Sequence, residues 1–220
     1  MELEYRYWFF KEALSDKTCD DIMYVGRKGI EQTALVGDLK PEDELPDGKL
    51  QEVKKVRDTN IAWLEDRWIY DFVHPYIHKA NKNAGWNFDW VWSESFQFTI
   101  YKQNQFYDWH CDSFPRPYND GPFKGYARKL SATISLNSPD EYEGGNLEFS
   151  WFDGKKITTH ECTEIRPRGS IVVFPSFIHH RVTPVTKGTR YSLVLWNLGK
   201  PFKWYKKRKY LQLMFIQPKK

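Results

Sequence analysis

His110 and Asp112 stand two residues apart in the run 101–112, YKQNQFYDWHCD, and a third candidate ligand, His180, follows far downstream in FIHHRVTPV. On a β-strand, residues i and i+2 point to one face about 6.6 Å apart along the chain, so one cation can accept both an imidazole and a carboxylate. Two histidines and one carboxylate leave the other coordination positions open, the donor set of non-haem iron(II) sites. A His-x-Asp pair also occurs by chance in many chains, so its meaning depends on further partners. One such partner is Arg190, with Ser192 two residues on, in VTKGTRYSLVLW. A guanidinium and a hydroxyl on one strand face make a receptor for a carboxylate. A dicarboxylate held by Arg190 at one end and by the metal at the other would be an economical cofactor site. The plainer alternative is a structural ion pair at Arg190.

Strands must carry these residues, and the chain supplies them. From Phe88 onward apolar and polar residues alternate: Phe88, Trp90 and Trp92, then Phe96, Phe98 and Ile100. Further strands are predicted at 106–112, 129–137, 146–151, 156–161, 170–175, 180–185 and 190–197, separated by turn signals such as NSPDEYEGG, FDG, RPRG and TKG. Short strands at close spacing predict an all-β sandwich or barrel. Adjacent strand residues face opposite sides, so only one of His179 and His180 can enter the barrel. Upstream, residues 4–10 read as a strand. A helix follows with Ser15 as N-cap, Asp16 in its first turn and Gly26 and Gly29 near its end. A second helix presents Trp68, Ile69, Phe72, Val73, Tyr76, Ile77 and Ala80, and Pro75 should kink it or start a new one. Residues 34–54 read as a loop, either a surface connection or a lid. His74 and His78, at i and i+4, lack a third metal partner nearby, and His160 with Cys162 is a faint zinc pair that we discount.

Composition narrows the class. Aromatics make up 17% of 220 residues, ten of them Trp, which excludes a disordered chain and predicts a packed core. No apolar run approaches a membrane span, and MELEYRYWFF carries acids where a signal peptide has a basic start, so a soluble, cytoplasmic protein is expected. Three scattered cysteines argue against a disulfide framework and agree with a reducing compartment. The net charge of +4 is uneven, since eight basic residues and no acid lie from Lys200 onward. That segment reads as a solvated terminus, with contact to nucleic acid or an anionic partner as the alternative.

Taken together, Tyr101-x-x-Asn104-x-x-Tyr107-x-x-His110-x-Asp112, then Arg128-x-Leu-Ser131 with Leu136 and Asn137, then EGGNLEF, then PRGSIVVFPSFIHHRVTPVTKGTRYSLVLW, resemble the prolyl 4-hydroxylase-type 2-oxoglutarate- and Fe(II)-dependent dioxygenases over about residues 97–197. The resemblance implies a mainly β fold with flanking α-helices around a double-stranded β-helix (jelly-roll) core. It implies His110, Asp112 and His180 as iron ligands and Arg190 as the partner of the 2-oxoglutarate C5 carboxylate. His180 is preferred to His179 because the family's distal histidine directly precedes the segment that reads RVTPV here. Tyr101 and Ser192 would face the cosubstrate, although Tyr101 as a plain buried aromatic stays open. The odd spacing of Tyr101 from His110 requires a bulge or turn at 102–105, where Asn104 stands in place of the family's usual glycine. Cys111 should point away from the metal. Arginine rather than lysine at 190 points to the bacterial and viral branch.

One dioxygenase domain is expected over 1–220: a support region at 1–87, the catalytic jelly roll at 88–199 and a basic extension at 200–220. The implied cofactors are Fe(II), 2-oxoglutarate and O2, with ascorbate as a candidate addition. The implied reaction is hydroxylation of an amino-acid residue, prolyl by preference, in a peptide or protein, with succinate and CO2 as co-products. Substrate choice is expected in the loops at 34–54 and 113–126. Two alternatives stand beside it: the same chemistry on nucleic acid or a small metabolite, and a non-enzymatic metal-binding jelly-roll module.

Overall fold

The computed structural model describes residues 3–29, 32–33, 57–114 and 116–202. In chain order the elements are β1 (Trp8–Phe10), α1 (Asp16–Lys28), β2 (Gln32–Thr33), β3 (Arg57–Asp58), β4 (Asn60–Leu64), α2 (Arg67–Asn83), β5 (Trp92–Ser93), β6 (Phe96–Tyr101), β7 (Phe106–His110), β8 (Ala127–Ser135), β9 (Tyr142–Gly144), β10 (Leu147–Phe152), β11 (Ile157–Glu161), β12 (Ile171–Pro175), β13 (His179–Val182), β14 (Val185–Gly188) and β15 (Arg190–Gly199). The predicted loop at 34–54 and the basic stretch at 203–220 lie outside the described residues. No helix among the described residues is long and apolar enough to cross a membrane.

The strands pair antiparallel in one sheet of order β1-β12-β8-β15-β6-β4-β2, with β5 also on β15, in a second of order β11-β10-β13-β7-β3, and in the pair β14-β9. From β6 onward the chain steps between the two main sheets, β6 to β7 to β8 to β10, then β12 to β13 to β15. That alternation is the jelly-roll core that the resemblance implies.

Each face of the first sheet has its own task. Leu193 and Leu195 of β15 turn outward with Phe96 and Phe98 of β6, and pack with Ile22 of α1 and Ile69, Val73 and Ile77 of α2 in the main hydrophobic core. Close approach of α1 requires Gly26, because a Cβ there would stand 2.4 Å from Phe98 Cγ. Ser15 caps α1 as expected, its side chain accepting from the Thr18 N–H. On the opposite face of β15, Arg190, Ser192, Val194 and Trp196 line a cavity shared with the second sheet.

Several local expectations differ. The alternation at 88–92 yields only the two residues of β5, because Trp90 instead covers His74 and His78 and the Val91 N–H reaches back to the Leu198 carbonyl. Pro75 sits inside one continuous helix rather than starting a second. Phe72, expected on the buried face of α2, is 49% exposed and packs edge-on against Trp68 at the helix surface. The predicted strand at 180–185 is divided into β13 and β14 around Thr183 and Pro184.

Candidate active site

His110 closes β7 and His180 lies in β13, and the two are register partners across the second sheet. Their rings stand 4.2 Å apart at the centroids. Asp112 lies beyond the end of β7, in a bend, so turning of the chain rather than strand parity brings its carboxylate back to the histidines. His110 Nε2 is 3.5 Å from Asp112 Oδ1, and His180 Nε2 is 3.5 Å from Asp112 Oδ2. One ligand atom from each of the three residues falls within 4.8 Å of the others.

The donor set fits a divalent cation. Adjacent ligands of an octahedral ion with bonds of about 2.1 Å lie roughly 3 Å apart, close to the separations found. His110 Nδ1 sits 2.7 Å from the Asp108 carbonyl and His180 Nδ1 sits 2.9 Å from the Ile178 carbonyl. A carbonyl only accepts, so both Nδ1 atoms donate, which leaves both Nε2 atoms, on the Asp112 side, as the metal-ligating positions once they are deprotonated. Burial pushes the His180 imidazolium down to about 4, so this ring is neutral at neutral pH. Burial alone would raise the Asp112 carboxyl, but His180, His110 and Arg128 around it outweigh that and hold it well below the usual carboxylate range. Neutral imidazoles and an ionised carboxylate are the forms that bind metal.

Arg190 is 2% exposed and opens β15 opposite Tyr101 of β6. Its Nη1 donates to Ser192 Oγ at 3.3 Å, and its guanidinium carbon stands 5.3 Å from the Tyr101 ring centre. Among the described residues no carboxylate pairs with it, so the structural ion pair is not found there. A buried guanidinium without a counter-ion is costly, and a bound carboxylate would relieve that cost. The cavity wall also carries Trp196, whose Nε1 is buried and has no acceptor among the described residues. An oxygen-rich ligand would satisfy it.

The turn required between Tyr101 and His110 is present: Asn104 has φ of 67° and the Gln105 N–H donates to the Lys102 carbonyl. Tyr107 stacks on His110 with centroids 3.5 Å apart. His179 stacks on Trp109 away from the cavity, and the Cys111 thiol donates to the Phe177 carbonyl. His74 bonds Ser93, His78 stacks on Trp90 and His160 bonds Tyr7. Among the described residues only His110, Asp112 and His180 cluster as metal ligands.

Residues 96–197 match the model of the 2OG-Fe(II) oxygenase superfamily. The match spans just under half of the 220 residues. A PKHD-type hydroxylase of Xylella fastidiosa (strain 9a5c) is 36% identical over 103 residues, covering 46% of this chain and 42% of that protein. The chain therefore spans less than half the length of that curated relative. A prolyl-4-hydroxylase of Pseudomonas putida superposes with TM-score 0.61 at 19% identity, over 90% of this chain and 95% of that one. A prolyl hydroxylase of Trichoplax adhaerens, solved with a hypoxia inducible factor oxygen degradation domain peptide fragment, gives 0.59 at 18%, over 87% and 83%. The structural likenesses show a shared fold.

The sequence reading missed Trp196, Gln97 and Thr133 in the cavity wall. Trp196 was within its reach, because it continues the i, i+2 face of Arg190 and Ser192.

Proposed function

We propose that the chain is a 2-oxoglutarate- and Fe(II)-dependent dioxygenase that hydroxylates an amino-acid residue, prolyl by preference, in a peptide or protein. The observation that carries this reading is one cavity lined at once by the His110, Asp112 and His180 ligand atoms and by the buried guanidinium of Arg190, which has no acid beside it among the described residues. Substrate class is supported by the fold shared with prolyl hydroxylases, one of them solved with a peptide.

In this reading His110, Asp112 and His180 hold Fe(II). Arg190 receives the distal carboxylate of 2-oxoglutarate, with Ser192 and Tyr101 beside it. The bound metal with 2-oxoglutarate and O2 supplies oxidative decarboxylation to succinate and CO2 coupled to oxidation of an unactivated C–H bond. The protein's part is positional: Asp108 and Ile178 carbonyls fix the ring tautomers, and Arg190 fixes the orientation of the dicarboxylate. Phe174, Leu147, Val182 and Val194 keep the cavity wall apolar and limit water.

The test is succinate formation from 2-oxoglutarate under Fe(II) and O2, with and without ascorbate, using proline-containing peptides. Mass spectrometry should show a peptide gaining one oxygen atom. Absence of any 2-oxoglutarate turnover by wild type, with iron binding unchanged in His110→Ala, would overturn the proposal.

A further inference from the structure

Beside Asp112 lies an ion pair that the mechanism above does not use. Arg128 of β8 donates from Nε to Glu94 Oε1 at 2.7 Å and from Nη2 to Glu94 Oε2 at 2.6 Å. The two side chains are only 13% and 11% exposed, and the guanidinium is flanked by Trp196 at 4.0 Å and Phe114 at 5.1 Å. A two-point fork of this kind fixes direction as well as distance.

Three contacts run from this pair to the segment that begins at Asp112. Arg128 Nη1 donates to the Asp112 carbonyl at 3.4 Å, Ser113 Oγ donates to the Arg128 carbonyl at 2.8 Å, and the Tyr118 hydroxyl donates to Glu94 Oε1 at 2.9 Å. Asp112 needs such support. It lies past the last residue of β7, so no strand ladder fixes its backbone, and beyond the pair its neighbourhood is held by a main-chain bond from the Ser113 N–H to the Ser176 carbonyl. His110 and His180, by contrast, are fixed by the pairing of β7 with β13.

We infer that Glu94 is a positioning residue for the metal site, aiming Arg128 at the main chain of Asp112 and anchoring Tyr118 in the segment that follows. The inference rests on reading His110, Asp112 and His180 as metal ligands. Glu94 and Tyr118 touch neither the metal position nor the reacting groups. Their effect passes through the placement of one carboxylate.

Cobalt(II) titration of the full chain, followed by its visible absorption, separates this role from a merely structural one. Supporting partners behind metal ligands are typically worth about tenfold to a hundredfold in metal affinity. Glu94→Gln should lower cobalt affinity by that amount, and Tyr118→Phe, which removes one hydrogen bond, by about threefold to tenfold. A structural ion pair would instead lower the melting temperature of both variants and leave the cobalt affinity of the folded protein at the wild-type value, which would overturn the inference. If Glu94→Gln does not fold, Tyr118→Phe decides alone. His110→Ala distinguishes the two levels of failure. Loss of cobalt binding there with wild-type affinity in Glu94→Gln or Tyr118→Phe defeats only the role of Glu94, whereas unchanged cobalt binding in His110→Ala defeats the metal-site reading and this inference with it.

Discussion

Arg190 and Tyr101 are register partners across β15 and β6, with the guanidinium carbon 5.3 Å from the centre of the phenol ring. The pairing holds a buried positive charge at one end of the cavity with no acid beside it among the described residues. Arg190→Gln keeps a hydrogen-bond donor and deletes the charge. A hydrogen bond to a charged group contributes about 1.5–3 kcal/mol, so 2-oxoglutarate should bind about ten- to a hundredfold more weakly. Calorimetry on the manganese-loaded variant without O2 reads this directly. Wild-type 2-oxoglutarate affinity would remove Arg190 from the cosubstrate site.

Gly145 tests the same guanidinium from behind. Its φ is 60°, and a Cβ there would meet Arg190 Cδ at 2.9 Å and Val185 Cγ2 at 3.0 Å. Gly145→Ala should therefore lower 2-oxoglutarate affinity severalfold while metal affinity holds, besides a backbone cost of about 1–2 kcal/mol. Gly154→Ala is the control, because Gly154 also has positive φ, 94°, but nothing among the described residues within 4 Å of the added atom. Equal effects of the two substitutions on 2-oxoglutarate affinity would show that contact with Arg190 is irrelevant.

Strand periodicity explains which parts of this site were legible. Alternation let only one of His179 and His180 enter the barrel, the resemblance chose His180, and His179 stacks on Trp109. The turn at Asn104 followed from a mismatch of parity alone. Asp112 does lie beside the two histidines, but the bend after β7, not a shared strand face, brings it there. Glu94 with Arg128 was out of reach: they are 34 residues apart, and their meeting depends on β15 lying between β6 and β8 and on a register shift between Asn197 and Leu198. The alternation of Phe88, Trp90 and Trp92 misled because Trp90 packs against His74 and His78 of α2, Phe88 packs against Phe177 and Phe202, and only Trp92 joins a ladder.

A preformed site should couple metal binding to stability. With His110 and His180 fixed by strand pairing, the proposed ligand set is assembled in the folded chain and not in the unfolded one. Manganese(II) or cobalt(II) at one hundred times its dissociation constant should then add about 2.7 kcal/mol to the unfolding free energy. Differential scanning calorimetry of wild type and His180→Ala checks it, and a melting temperature that rises equally in both would place the metal elsewhere.

Lys129 gives a pH signature away from the site. It is 5% exposed, its Nζ stands 3.3 Å from the centre of the Phe202 ring, and burial pushes its ammonium down to about 8 against an opposing pull from Asp89. The unfolded lysine titrates near 10.4, so between about 8 and 10.4 the unfolded chain holds more protons and stability contributed here rises with pH. Below about 8 the full cost of a buried charge is present, offset in part by the Phe202 face. Lys129→Met removes that cost, so its stability relative to wild type should be most favourable below pH 8 and lose that advantage as pH approaches about 10.4. Urea unfolding of both proteins across this window reads the difference, and a constant offset would mean that Lys129 titrates alike in the folded and unfolded chain.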